Sequence, residues 1–400
     1  MPDEPASVQV QQRATAGPAA TASTAEADHQ AERGLFGLEE HTRNRLLFGI
    51  FVALIALYPV IDRTLGIDRM GSMNPILIFT LLALGLNIVV GFAGLLDLGY
   101  AAFFAIGGYT VAFLTAPQSP MVQAGYTLDF WVALPIAFVV AAIFGLILGA
   151  PTLRLRGDYL AIVTLAFGEI VPQAIRNLEG ITNGTKGMNP IGRPTFGTVE
   201  LLASDQVPWY YLILAVSVLS IFVIVRLRDS RLGRAWVAMR EDEIAASSMG
   251  INLVRTKLSA FALGASFSGF GGALYASMLQ YIGPDQFDFS ISIILLAMVI
   301  MGGIGNVWGV VFGGIVLGTF NFILVDSASG WMKSLAATLN MPILASIDLV
   351  NAKLMLFGLA LVLMMLLRPE GIFPSAQRKM ELRRGRGRPG LATNGNGNGA

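Results

Sequence analysis

The chain has no cysteine and only two histidines, His29 and His41, among its 400 residues. Thiol nucleophiles, disulfides, iron–sulfur ligation and haem attachment through cysteine are therefore excluded. Both histidines precede the first apolar run, so a histidine-centred catalytic or metal site in the core is excluded as well. Charge is scarce: 13% of residues carry one, while 54% are hydrophobic and the mean hydropathy is +0.65. A water-soluble chain of this length would lack the polar groups to cover its surface. A soluble enzyme, a DNA-binding protein and a disordered scaffold fit poorly, and the membrane class fits. A phosphate-binding loop is also missing. The nearest approach, GITNGTKG at 180–187, has the wrong glycine and lysine spacing, so any ATP that powers the protein must be bound by another chain. With no nucleophile, base and metal set either, a membrane enzyme is left without machinery.

What the chain has is apolar runs. Ten fall near 46–61, 74–92, 97–115, 130–150, 158–176, 209–227, 258–279, 287–302, 307–325 and 351–367. A spanning helix needs about 20 residues to cross roughly 30 Å of hydrocarbon. The runs predict an all-α polytopic membrane protein with about ten transmembrane or partly spanning helices. Residues 1–42 read as a disordered cytoplasmic arm rather than a signal peptide. Residues 43–374 form the transmembrane domain, and 375–400 are a basic, then Gly/Asn-rich, cytoplasmic tail. With the N-terminus inside, the cytoplasmic segments hold 20 of the 27 Lys and Arg residues. That bias predicts both termini in the cytoplasm. The arginines of the tail are placed to touch anionic lipid headgroups, not nucleic acid.

Glycine occurs 45 times, often inside the runs. Glycines there let helices approach closely where burial from water supplies no driving force. Gly305, Gly309 and Gly313 recur every four residues, as do Gly314 and Gly318, and together they predict a packing stripe. Polar residues within or beside the runs are expensive in lipid and therefore face protein or water. Asn87, Asp97 and Glu169 are of this kind, and they are candidates for the translocation path or its gating. Asp97 also reads as a helix cap, and Glu169 as a bond pinning neighbouring helices. The loop at 226–257 is too short for a domain and too rich in helix formers for a bare turn. It predicts a short amphipathic helix, then a small-residue helix near 244–249 ending at Gly250. Docking on a cytoplasmic partner and lying in the membrane interface are equally open for it.

Three blocks resemble the permease subunits of branched-chain amino acid ABC importers, the LivM/LivH family and specifically its LivM type. They are LGLNIVVGFAGLLDLGYAAFFAIGGYTVAFL at 84–114, LRLRGDYLAIVTLAFGEIV at 153–171, and MVIMGGIGNVWGVVFGGIVLG at 298–318. Stretches 243–276 and 366–374 fit too, so the resemblance covers about 46–374. It implies a pore formed with a second, LivH-type permease. Two cytoplasmic ATP-binding subunits would hold the ATP and Mg, and this chain would bind no cofactor or metal. An external or periplasmic solute-binding protein would deliver the amino acid, with transport by alternating access. The resemblance places the ATPase-coupling motif in 226–257, at Glu243, Ala245, Ala246 and Gly250, flanked by Arg234 and Glu241. It adds Tyr100, Phe104 and Gly303 as candidates along the path. Three features depart from the family pattern: Ile244 interrupts Glu-Ala-Ala, ITNGTKGMNPI at 181–191 replaces a Gly-Gly-Pro loop, and Asn321 stands where a Pro-Glu pair is usual. The solute stays open between branched-chain or broader hydrophobic amino acids, other amino acids, and urea or short amides. An ion-driven secondary transporter would need inverted repeats and a midplane coupling carboxylate instead.

Overall fold

The computed structural model describes residues 55–66, 68–152, 158–197 and 199–325, together with isolated positions between 327 and 366. The expected arm at 1–42 and tail at 375–400 lie outside the described residues, as do 46–54 and most of the run at 351–367. The chain divides into two compact units, 1–67 and 68–400. Of the first, only a helix is described, α1 (55–65), in which the Tyr58 hydroxyl donates to Asp62 at 3.4 Å.

The second unit is a helical bundle. Among the described residues, eight helices are long and apolar enough to cross a membrane. These are α2 (Met70–Leu86, continued by a π-helical turn, Asn87–Phe92), α3 (Tyr100–Thr115), α4 (Phe130–Thr152), α5 (Asp158–Asn177) and α6 (Gln206–Arg228). After two short helices, α7 (Arg231–Glu241) and α8 (Glu243–Ser248), come α9 (Leu253–Leu279), α10 (Phe289–Gly302) and α11 (Val307–Thr319). The near-continuous apolar stretch at 287–325 does split, between Gly302 and Val307. Gly303 and Gly305 make the turn with φ of +115° and +81°, a region open mainly to glycine. Asn306 then caps α11, accepting from the N–H groups of Trp308 and Gly309.

α2 is apolar on every side and almost wholly buried, as a helix at the centre of a bundle must be. α9 lies against α2, α3 and α4. Its small residues let backbones touch: a Cβ on Gly107 of α3 would stand 2.5 Å from Gly269 Cα of α9. The predicted stripe on α11 packs in the same way. A Cβ on Gly313 would meet Met298 O at 2.6 Å, and one on Gly314 would meet Thr80 Oγ1 of α2 at 2.7 Å. Gly318 faces Ile76, while Gly305 and Gly309 lie at the turn and in the first part of the helix. Such contacts replace the missing hydrophobic drive with dispersion at close range.

The loops gather at two ends. At one end, the segment 93–99, helix α7 and the turn 303–306 meet, with α8 following α7 in the chain. At the other, 115–131 and 178–205 join 280–288. There Met188 pairs with Ile282, Gly192 N–H donates to Thr115 Oγ1 at 2.9 Å, Trp131 Nε1 donates to Thr195 O at 2.8 Å, and Arg176 pairs with Asp285 at 2.8 Å.

Candidate functional site

The α7–α8 segment is fixed to the bundle by polar bonds on one side and, among the described residues, is exposed on the other. Ser230 opens α7, its Oγ accepting from Gly233 N–H. Arg231, Arg234 and Glu241 are exposed on α7, Trp236 and Met239 point inward and are buried, and Arg240 is half-buried on the inner side. Trp236 Nε1 donates to Thr256 O and Ser259 Oγ on α9, both at 3.0 Å, and its ring stacks on Phe92 at 6.5 Å. Arg240 Nη1 donates to Gly91 O in the π-helical turn at 2.6 Å. Asp242 caps α8, accepting from Ile244 and Ala245 N–H at 2.8 and 3.0 Å. Glu243 pairs with Lys257 of α9 at 2.7 Å, and the lysine side chain is only 6% exposed. A pair this sheltered holds its geometry better than a surface pair, because water screens it less.

The residues expected to couple therefore separate. Glu243 and Ala246 turn toward the bundle, the first in its ion pair and the second buried. Arg234, Glu241, Ala245 and Gly250 are exposed, and Gly250 ends the segment with φ of +84° and, among the described residues, no neighbour within 4 Å of an added Cβ. Ile244, which interrupts the Glu-Ala-Ala pattern, is 69% exposed, and Met249 is 84% exposed. Two large apolar side chains thus stand exposed at the two ends of a helix that an ion pair ties to α9.

The path candidates separate as well. Asn87, Asp97, Tyr100 and Phe104 are wholly buried, and Gly303 is buried at the turn. Asn87 Oδ1 accepts from Gly305 N–H at 3.0 Å, and Tyr100 donates to Gly264 O at 2.7 Å. Phe104 sits edge-on to Phe79 and Phe287. Asp97 is not the cap of α3, a place taken by Gly99, but it accepts from Gly99 N–H at 2.9 Å in the preceding turn. Burial pushes its carboxyl up to about 7, opposed by that hydrogen bond. Glu169 alone among these candidates is exposed. It shares the outward face of α5 with Ile162, Ala166, Ile170 and Gln173, while Leu160, Thr164, Gly168 and Pro172 face inward. Sequence reasoning passed over the anchoring roles of Arg240, Trp236 and Lys257. The signal for them was weak, a lone charge or indole on the inner face of an amphipathic helix.

The profile of the family described as "Branched-chain amino acid transport system / permease component" matches residues 70–365. The chain belongs to that family. It is accordingly a multi-pass membrane permease and not an enzyme. The high-affinity branched-chain amino acid transport system permease protein LivM of Escherichia coli is 41% identical over 330 residues, 77% of this chain and 71% of the relative. LivM of Salmonella typhimurium is 40% identical over the same shares. The LivH permease of Escherichia coli is 26% identical over 252 residues, 60% of this chain and 79% of the relative. No solved structure matches.

Proposed function

We propose that this permease is the LivM-type half of an ATP-driven importer of branched-chain amino acids. It pairs with a LivH-type permease, receives solute from an external binding protein, and is driven by two ATPase subunits docked on α8. One observation carries the reading: Ile244 and Met249 stand exposed on a helix whose base is locked by the Glu243–Lys257 pair, the Asp242 cap and the Trp236 anchor. Burying one such side chain in a partner's groove stabilises a complex by about 1.5–3 kcal/mol. The rigid mount means that a push on the helix is passed to the bundle instead of being absorbed in a loop. The basic residues around α7, Arg226, Arg228, Arg231 and Arg234, favour the cytoplasm for this end.

The outward face of α5 is assigned to the half-path. A carboxylate on an exposed stripe of a spanning helix is costly against lipid, and is accommodated where it meets water or a second permease. No ATP or metal site is assigned to this chain: hydrolysis and its Mg belong to the partners. The binding protein then selects the solute, and the permease alternates between two states whose balance each partner shifts by its differential affinity.

The test is co-purification of the full complex from wild type and Ile244→Asp. A charge at the tip should cut ATPase-subunit recovery roughly tenfold, the equivalent of about 1.4 kcal/mol, while the LivH-type permease still co-purifies. Undiminished recovery of the ATPase subunits would remove the docking assignment.

A further inference from the structure

We propose that Arg240 is a positioning residue that clamps α7 to two helix breaks of the bundle, the end of α2 and the α10–α11 turn, so that movement of the docking helix reaches both at once. The inference rests on the docking of ATPase subunits at α8. Three contacts define the clamp. The aliphatic stem of Arg240 lies over Gly94, where an added Cβ would meet Arg240 Cγ at 2.6 Å and the backbone has φ of +70°. The guanidinium donates to Gly91 O at 2.6 Å. The same Nη1 stands 3.2 Å from where a Cβ on Gly305 would be.

Each of these glycines sits where a spanning helix stops. Gly91 is in the π-helical end of α2, whose last carbonyls lack the next turn's N–H groups. A cation there satisfies a carbonyl and opposes the negative end of the helix dipole. Gly94 opens the segment leading to α3, and Gly305 is in the turn between α10 and α11. The two stopping points are tied to one another by Asn87 Oδ1, which accepts from Gly305 N–H. A Cβ on Gly91 would strike that same Asn87 oxygen and Gly305 N, so no larger residue fits between them. One side chain of α7 therefore rests on the end of the central helix, on the start of the link to α3, and beside the α10–α11 turn. The stack of Trp236 on Phe92 braces the contact from the next turn of α7. Arginine suits the place because its long stem packs while its planar head donates in fixed directions.

The experiment compares wild type, Arg240→Met and Arg240→Lys in the complete importer reconstituted in liposomes, reading solute moved per ATP hydrolysed. Arg240→Met keeps most of the stem and loses every donor. It should retain co-purification of all subunits and lower the ratio roughly tenfold, as the loss of a charged hydrogen bond at a force-bearing point implies. Arg240→Lys, which keeps a charged donor, should recover part of the loss. A ratio within about twofold of wild type in Arg240→Met overturns the clamp, and so does loss of assembly in both variants, which would make Arg240 a folding residue. The docking reading fails separately, if Ile244→Asp keeps its ATPase subunits.

Discussion

At the scale of single residues, the side chains with the greatest chemical interest do different jobs in different surroundings. Asn87, Asp97 and Tyr100 are buried polar groups whose bonds run to backbone, and they hold helix ends and helix pairs together. Glu169 is exposed on the outward face of a spanning helix, so its charge contributes little to internal packing. Exposed positions away from special contacts change stability by about 0.5 kcal/mol or less. Glu169→Gln keeps the shape and removes the charge. It should leave the yield and melting temperature of the purified permease near wild type and alter uptake several-fold in proteoliposomes. A parallel fall in yield and uptake would return Glu169 to a structural role.

The elements carry the transmission. α7 and α8 are too short to be stable alone in water, since a helix of fewer than about 12 residues is marginal. Their caps at Ser230 and Asp242, the buried Trp236 and the Glu243–Lys257 pair supply what length does not. Gly250 then turns the chain toward α9 at φ of +84°, where an ordinary side chain costs about 1–2 kcal/mol. Because no atom of the described residues lies within 4 Å of an added Cβ, bulk at this position is set to meet what docks there. Gly250→Asn, which tolerates the left-handed region, should support near-normal uptake. Gly250→Arg should block uptake while both permeases still assemble. Equal uptake in the two variants would clear Gly250 from the docking face.

Across the whole molecule, the bundle places its loops at two separate ends, and the proposed topology assigns the α7–α8 end to the cytoplasm. The absence of native cysteine makes this simple to check. Single substitutions Ser248→Cys on α8 and Glu179→Cys after α5 put thiols on exposed positions at opposite ends. A membrane-impermeant maleimide applied to intact cells should label the second and spare the first, with the order reversed for inside-out vesicles. Labelling of the Ser248→Cys protein from outside would invert the topology and take the docking proposal with it.

Membrane class and helical architecture were legible in the residues, because hydropathy and glycine spacing are local along the chain and each spanning helix satisfies its own backbone; the family was legible only as a resemblance carried by the blocks at 84–114, 153–171 and 298–318. The break at 303–306 was legible too, since Gly302, Gly303, Gly305 and Asn306 each favour ending or starting a helix. The clamp was not. It joins Arg240 to a backbone carbonyl 149 residues away, and Asn87 to a backbone N–H 218 residues away. A carbonyl carries no sequence identity, so no pattern of side chains announces it. Nor does the sequence tell which of Ile244, Ala245 and Ala246 faces out, because a six-residue helix is rotated by what its cap and its ion pair grip. The composition decided that this chain lives in a bilayer. The tertiary structure decided which polar groups are spent holding the helices and which are left for partners, because only packing brings distant residues within bonding distance.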